Sequence, residues 1–389
     1  MEKKHVLSLF TVILFTSLFS VAFKIRKVQA TISIGSNYTF THDIYDQIVV
    51  TGDNIVIDGA GYSLIGDNST GTTGVELSGR SNVTIKNLRI SLFWDGIVLW
   101  NSESNLIHGN NMSANRNFGI ALWNFSNHNT ISENNVTANG QDGIGLDLSS
   151  YNLIHNNIVA AHYQDGIILD AYSDNNTISW NQVVNNGFGI ELYDSSNNTI
   201  IQNNLTRNTN YGILLYYSSY NIVSENNVTT SDVEGVFLSY SHFNFINGNY
   251  LENNGNGLTV GYSSTNNSIY QNEIINNEYG IQVISSSNNT FCQNNLINNT
   301  NQIVSSDSVN RWDCGYPSGG NYWSDYEERY PDATEIDDSG IWDTPYTIDE
   351  NNQDRYPIIP EFPSILILPL FMIITMLTVT VNKRKQKVR

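Results

Sequence analysis

Residues 152–170 read Asn152-Leu-Ile154-His-Asn-Asn157-Ile-Val159-Ala-Ala-His-Tyr-Gln-Asp165-Gly166-Ile167-Ile-Leu169-Asp170, and close variants of this line recur along the chain. Gly96, Gly119, Gly143, Gly166, Gly189, Gly212, Gly235, Gly257 and Gly280 each precede Ile, Val or Leu, with gaps of 22 to 24 residues and a mean period of 23. Three further ladders keep this period. One is an Asn two residues before an apolar side chain, from Asn105 to Asn289. The second is an Asn five residues later, from Asn110 to Asn294. The third is Leu or Val three residues after each Gly, from Leu99 to Val283. Self-similarity at a fixed period specifies a solenoid, whose units bury their apolar faces only by stacking.

Apolar and polar positions alternate over short runs, which is a strand pattern, and no helical periodicity runs through the repeats. Leucine-rich repeats share the length but would place several leucines per coil. The expected fold is therefore all-β, a single-stranded parallel β-helix with coils about 4.8 Å apart. Stacked Asn side chains would bond to one another inside the corners. The recurring Gly is expected to sit at a corner and supply a positive φ. Residues 54–304 hold ten or eleven coils, a rod on the order of 50 Å long.

The chain's 389 residues divide further by composition. Residues 1–30 carry Lys3 and Lys4, an apolar stretch from Val6 to Phe23 and a small-residue end at Val28-Gln29-Ala30, the pattern of a signal peptide. Residues 31–53 would form an N-terminal cap and the acidic, aromatic residues 305–360 a C-terminal cap. Residues 361–382 contain the apolar run Phe362 to Val381, long enough to span a bilayer. The basic tail 383–389 would then be cytoplasmic, placing residues 31–360 outside the cell as a single-pass surface protein.

Between residues 31 and 360 there are 8 basic and 35 acidic residues. Such a surface excludes nucleic acid and anionic lipid as partners, since both require basic footprints. Thirteen N-x-S/T sequons, from Asn37 to Asn298, fit an exported glycoprotein, although several were expected to lie in unreachable corners. Cys292 and Cys314 are 22 residues apart, about one coil, which would stack them within disulfide range.

Asn54-Ile-Val-Ile-Asp58-Gly59-Ala-Gly61 and Ser81-Asn82-Val-Thr-Ile85-Lys86-Asn87-Leu88, together with the coils, resemble the right-handed β-helix superfamily of pectate lyases and NosD-like proteins. Gly319-Gly320-Asn321-Tyr322-Trp323-Ser324-Asp325-Tyr326, Asp343-Thr344-Pro345-Tyr346 and Asp354-Arg355-Tyr356-Pro357 are similar to the C-terminal element of archaeal NosD-like surface proteins. The start of the apolar run, Pro360-Glu361-Phe362, also resembles a PEF-type sorting signal. The resemblance implies a right-handed coil and, through the family name, copper handling. It also implies calcium at an acidic run before Thr-Pro-Tyr. Here that run is Asp337-Asp338-Ser339-Gly340-Ile341-Trp342-Asp343, with Ser339 where an acid is usual.

For copper, His108 and His155 share a ladder position but lie two coils apart, about 10 Å, and Met112 falls on a core ladder. The stronger cluster is acidic. Asp142 and Asp165 precede Gly on adjacent coils, and Asp147 and Asp170 follow it by four. Stacked carboxylates either bind a cation such as calcium or share a proton. Trp100, Trp123, Tyr193 and Tyr216 take the place of Asp147 and Asp170 on flanking coils, an arrangement suited to sugars. No Arg or Lys base falls on this ladder and no complete catalytic set is present. The sequence thus reads as a non-catalytic surface protein binding glycan or cation, or a purely structural one. The rivals are a polysaccharide lyase or hydrolase using Asp142 and Asp165, and a copper-handling accessory protein.

Overall fold

A computed structural model describes residues 30–359; the expected signal peptide 1–30, apart from residue 30, the expected span 361–382 and the expected tail 383–389 lie outside them. The chain winds into a parallel β-solenoid of about 12 turns, with two sheets of 12 strands and one of 13. We call the 13-stranded sheet sheet 1. One coil shows the plan. Thr130–Ser132 lies in sheet 2, Asn135–Thr137 in sheet 3 and Ile144–Asp147 in sheet 1. Each strand pairs in parallel with its equivalents one coil before and after, Ile131 lying between Ile107 and Ile154. Inward side chains form apolar columns that are fully buried, such as Ile107, Ile131, Ile154 and Ile178 in sheet 2.

The corners explain the Asn ladders. At the corners one residue takes a positive φ and the next points inward, an apolar side chain such as Val83, Leu88 or Phe93 in the first coils and a polar ladder member thereafter. Glu133 (φ 54) precedes Asn134, Trp180 (φ 58) precedes Asn181, and Tyr220 (φ 58) precedes Asn221. A left-handed L-residue costs about 1 kcal/mol or more, and the ladder's hydrogen bonds offset it. The Asn134 backbone N–H donates to Asn157 Oδ1 at 2.9 Å, while its Nδ2 donates to Asn157 Oδ1 at 3.0 Å and to Ile107 O at 2.9 Å. One amide thus ties three successive coils. Two ladders were unanticipated. Asn115, Asn139, Asn186, Asn208, Asn254 and Asn277 form a third Asn ladder, and Ser102, Ser126, Ser149, Ser173 and Ser195 begin a serine ladder after sheet 1.

The recurring Gly corrects an expectation. None of the Gly-Ile glycines has a positive φ; the left-handed corners belong to other residues. The glycines face inward under the third Asn ladder. A Cβ on Gly189 would stand 2.4 Å from Gly212 O, 2.8 Å from Leu205 Cδ2 and 2.9 Å from Asn208 Nδ2. Gly is required for close approach rather than for backbone freedom.

The solenoid also starts earlier than the Gly ruler suggests. Residues 31–53, expected as a cap, already wind into the sheets, Thr31–Ile34 pairing with Gln47–Val50 and that strand with Thr73–Ser78. They carry Ile48 and Val50 without the Gly marker, so the ruler misses them. Past the last sheet 1 strand, Asn301–Ser306, the C-terminal residues close the open end. Asn321 accepts from Asn294 N–H, Asn310 from Asn289 N–H, and Gln302 from Asn299 Nδ2. Asn352 in turn accepts from Asn310 N–H, and Asp354 from Asn321 N–H and Trp323 Nε1. Trp312 stacks on Phe291 at 4.2 Å. Cys292 and Cys314 form a disulfide with Cα atoms 5.8 Å apart. The only α-helix among the described residues, Tyr326–Arg329, is a single turn, and none there is long and apolar enough to cross a membrane.

Two substitutions test this account by thermal or denaturant unfolding. Asn181→Ala strands the Ile154 carbonyl and the Asn157 N–H and should cost about 1–3 kcal/mol for each buried group left unpaired. Gly189→Ala should destabilise by about 1–3 kcal/mol through overpacking; a variant as stable as the parent would contradict the close-approach role.

Candidate functional site

Sheet 1 presents three outward rows. The leading row, one residue before each Gly, runs Asp95, Phe118, Asp142, Asp165, Phe188, Tyr211, Glu234. The middle row, two after Gly, includes Glu191, Leu214 and Phe237; the trailing row, four after, runs Trp100, Trp123, Asp147, Asp170, Tyr193, Tyr216. The strand register brings Trp100, Trp123, Asp147 and Asp170 together as successive rungs and sets Tyr193 beside Tyr216. All seven sequence-selected ligand residues therefore lie on one face.

The carboxyls are not equally wet. Asp142 and Asp165 are only 4% and 6% exposed, in a row that continues with Phe188. Asp165 N–H donates to Asp142 Oδ1 at 2.7 Å, while Asp165 Oδ1 is buried with no N–H or hydroxyl donor, its carboxyl lying against those of Asp142 and Glu191. Glu191, which the sequence reading missed, completes the cluster from the neighbouring rung. Burial, then the charges of Glu191 and Asp142, push Asp165 up to about 9. Burial also raises Asp142 and Glu191. Asp147 is raised by partial burial and by the facing charge of Asp170. Farther along the leading row, burial raises Glu234 to about 7; it is 7% exposed and its Oε2 is unpartnered. Near neutral pH Asp165 is thus a proton-carrying carboxyl beside two further carboxyls whose proton affinities burial also raises.

Aromatic walls flank these acids on both sides. On one side Phe118 meets Trp123 edge-on at 5.0 Å, with Trp100 at 6.2 Å from Trp123. On the other, Phe188, Glu191, Tyr193, Tyr211, Leu214, Tyr216, Phe237, Ser239, Tyr240 and Tyr262 line a groove of about 470 Å³. Its rings stand in contact: Tyr193 with Tyr216 at 5.3 Å, Tyr211 with Phe237 at 5.5 Å and Tyr240 with Tyr262 at 6.0 Å. Tyr211 and Phe237 were legible as outward positions counted from Gly. Tyr240 and Tyr262 sit at the following corner, five residues after Gly235 and Gly257 and one place beyond the outward rows counted from Gly.

The other candidates do not assemble. Among the described residues no group of three or more His, Cys, Asp or Glu is arranged to hold a metal ion. The carboxyls of Asp337 and Asp343 are taken up by hydrogen bonds within the cap: Asp337 accepts from Tyr316 Oη, and Asp343 from Thr334 N–H, Thr334 Oγ1 and Thr344 Oγ1. Asp338 is exposed and does not join them. The residues present do not fit copper either. Ser132 separates His108 from His155 in sheet 2, and Met112 is buried in the core. His162 replaces an Asn in the third ladder. It accepts from Asn139 N–H through Nδ1 and bonds Val136 O through Nε2, and burial lowers it to about 4.

Over residues 163–328 the sequence matches the family described as periplasmic copper-binding protein (NosD), and over 34–183 and 73–228 the right-handed β-helix region. No curated protein matches the chain by sequence. Similar solved structures include the A-module of mannuronan C-5 epimerase AlgE6 from Azotobacter vinelandii. It is 16% identical with a TM-score of 0.62, covering 73% of this chain and 91% of that one. The periplasmic alginate epimerase AlgG is 16% identical with a TM-score of 0.58, covering 67% and 75%. The Dettilon tailspike protein is 16% identical with a TM-score of 0.55, covering 75% and 63%. At these identities the likeness is one of fold.

Protonation gives the site a pH signature. Asp165 and Glu234 hold protons more tightly folded than unfolded. Their contribution to stability is present below the ordinary carboxylate range and is lost as pH rises toward about 7 for Glu234 and about 9 for Asp165. His162 acts oppositely: its contribution is present above the usual histidine value and is lost as pH falls toward about 4. Asp165→Asn should therefore raise Tm at pH 9 by at least about 2 °C and change it little at pH 4. Equal shifts at both values would show that Asp165 is not held protonated.

Proposed function

From the premise that this chain belongs to the right-handed β-helix family in its NosD-like form, we propose that it is a cell-surface glycan-binding protein whose site is the aromatic groove of sheet 1. The observation that carries this reading is the groove itself, about 470 Å³ walled by Tyr193, Tyr211, Tyr216, Phe237, Tyr240 and Tyr262, with the Glu191 carboxyl in its lining. Aromatic rings offer flat apolar faces to pyranose rings while tyrosine hydroxyls and carboxylates accept or donate hydrogen bonds at the rim. The rung spacing of about 4.8 Å is close to the length of one sugar unit, so successive rungs can meet successive residues of a glycan.

Location outside the cell is supported by the periplasmic description of the matched family and by the signal-like residues 1–30. The apolar run 362–381 supplies the proposed anchor. The sequons also support it. Eleven of their thirteen Asn side chains are exposed, contrary to the expected inaccessibility, with Asn135 and Asn227 half-buried. The buried ladder Asn are different residues, and no sequon Asn lies within a strand of sheet 1. Glycosylation would then decorate the other faces and leave the groove bare. Calcium and copper have no assembled ligand set among the described residues and take no part in this reading.

A second reading, glycan cleavage, is favoured by one observation: a carboxyl held protonated, Asp165, sits beside two further carboxyls, Asp142 and Glu191, the grouping that acid–base cleavage of a glycosidic bond uses. Incubating the protein with a panel of oligosaccharides and assaying new reducing ends or unsaturated products separates the two; binding without turnover supports the first. For binding itself, the full-length protein in detergent should retain an oligosaccharide on a glycan array, and Tyr216→Ala should weaken that retention at least tenfold without lowering Tm substantially. Retention unchanged in Tyr216→Ala would move the site elsewhere.

A further inference from the structure

The charge on sheet 1 goes further than the rings do. Among the described residues, the thirteen strands of sheet 1 contain no Lys, Arg or His. They contain seven acids: Glu76, Asp95, Asp147, Asp165, Asp170, Glu191 and Glu234. Asp142 joins them at the start of its rung. The Lys and Arg residues of the solenoid lie outside these strands, Arg89 in sheet 3 and Arg207 at a corner, and three of them are held by other groups. Lys86 pairs with Asp58 at 3.2 Å in sheet 2. Arg80 donates to Ser78 O and Thr51 O. Arg116, at the corner entering sheet 1, donates to Asn68 O at 3.1 Å and lies over Trp94. In the cap, Arg355 is held by Asp313 at 2.9 Å.

We infer that the groove takes an uncharged oligosaccharide and rejects polyuronates and other anionic glycans. This deepens the glycan-binding reading and rests on it. A uronate chain seated in the groove would place a carboxylate against Glu191, and its continuation along the trailing row would meet Asp170 and Asp147 on the preceding rungs, with no cation on the sheet to balance them; like charges at rung spacing repel. Two buried acids supply the complementary feature. Glu234 Oε2 has no partner and Asp165 Oδ1 meets only the carboxyls of Asp142 and Glu191, in a face of aromatic rings and acids, and both residues are more than nine-tenths buried. A neutral sugar hydroxyl, able to donate or accept, satisfies such an oxygen whether or not it carries a proton, whereas a carboxylate can only accept. The mannuronan and alginate epimerases that share this fold are named for polyuronates, so similar coils here would serve a ligand of different charge.

Matched glycan pairs test this directly. The full-length protein in detergent is titrated with mannohexaose and the mannuronate hexamer of the same linkage, and with galacto- and gluco-configured pairs, at physiological salt, with calcium and with chelator. At least one neutral member should bind at least tenfold more tightly than its uronate partner under both conditions. The double variant Asp170→Asn with Glu191→Gln should narrow that ratio severalfold, its fold being checked by Tm. A uronate that binds as well as or better than its neutral partner, with Tyr216→Ala abolishing the binding, overturns the charge selection and leaves the groove reading standing. If no member of any pair binds, or if Tyr216→Ala leaves binding unchanged, both fall together.

Discussion

The structure depends on the hydrogen bond that each ladder asparagine makes across coils. A solenoid corner turns the backbone sharply and buries peptide groups that no strand partner reaches. Asn134 meets that demand with one side chain, accepting from the coil before and donating to backbone and side chain on either side. Because each amide needs its equivalents above and below, the ladder fixes the register of all three sheets at once. The apolar columns supply burial, but burial alone would tolerate a shift of one coil against another. The amide chain does not.

That dependence explains what could be read in advance. A buried amide must recur at the same place in every coil, so Asn110, Asn134 and Asn157 stand out in a bare sequence and give the fold, the coil length and the alignment of outward residues. The paired acids Asp142 and Asp165, and Trp100 and Trp123 with Asp147, could be placed on one face for the same reason. Other features were illegible. Glycine suggested a left-handed corner, whereas its function is to leave room beneath Asn208 and Leu205, a three-dimensional contact with no one-dimensional mark. His162 hid the third ladder by substituting for its asparagine. Glu191 was overlooked because its row holds Val98, Ala121, Gly145 and Ile168 on other coils, so no periodic signal singled it out.

Outward positions escape the constraint that governs the core, and the chain uses that freedom unevenly. Sheet 2 and sheet 3 carry mixed polar residues with their few bases, while sheet 1 gathers aromatic rings and acids and excludes bases entirely among the described residues. The acids are not merely solvated. Asp142, Asp165 and Glu234 are buried by neighbouring side chains, so their proton affinities are raised by the same packing that forms the groove walls. Chemistry and shape on this face therefore have a common origin in which residues occupy consecutive rungs.

The cap has a consequence beyond finishing the core. Every coil of a β-solenoid is a template for the next, and an uncovered last coil would offer unpaired strand edges, free amides and an apolar cross-section to another copy of itself. Asn321, Asn310, Gln302 and then Asn352 and Asp354 occupy those amide positions, and Trp312 and Trp323 fill the cross-section. They act as chain terminators in a polymer sense. The cap separates a discrete molecule of fixed length from a filament, because the interactions that hold one coil to the next contain no stop signal of their own.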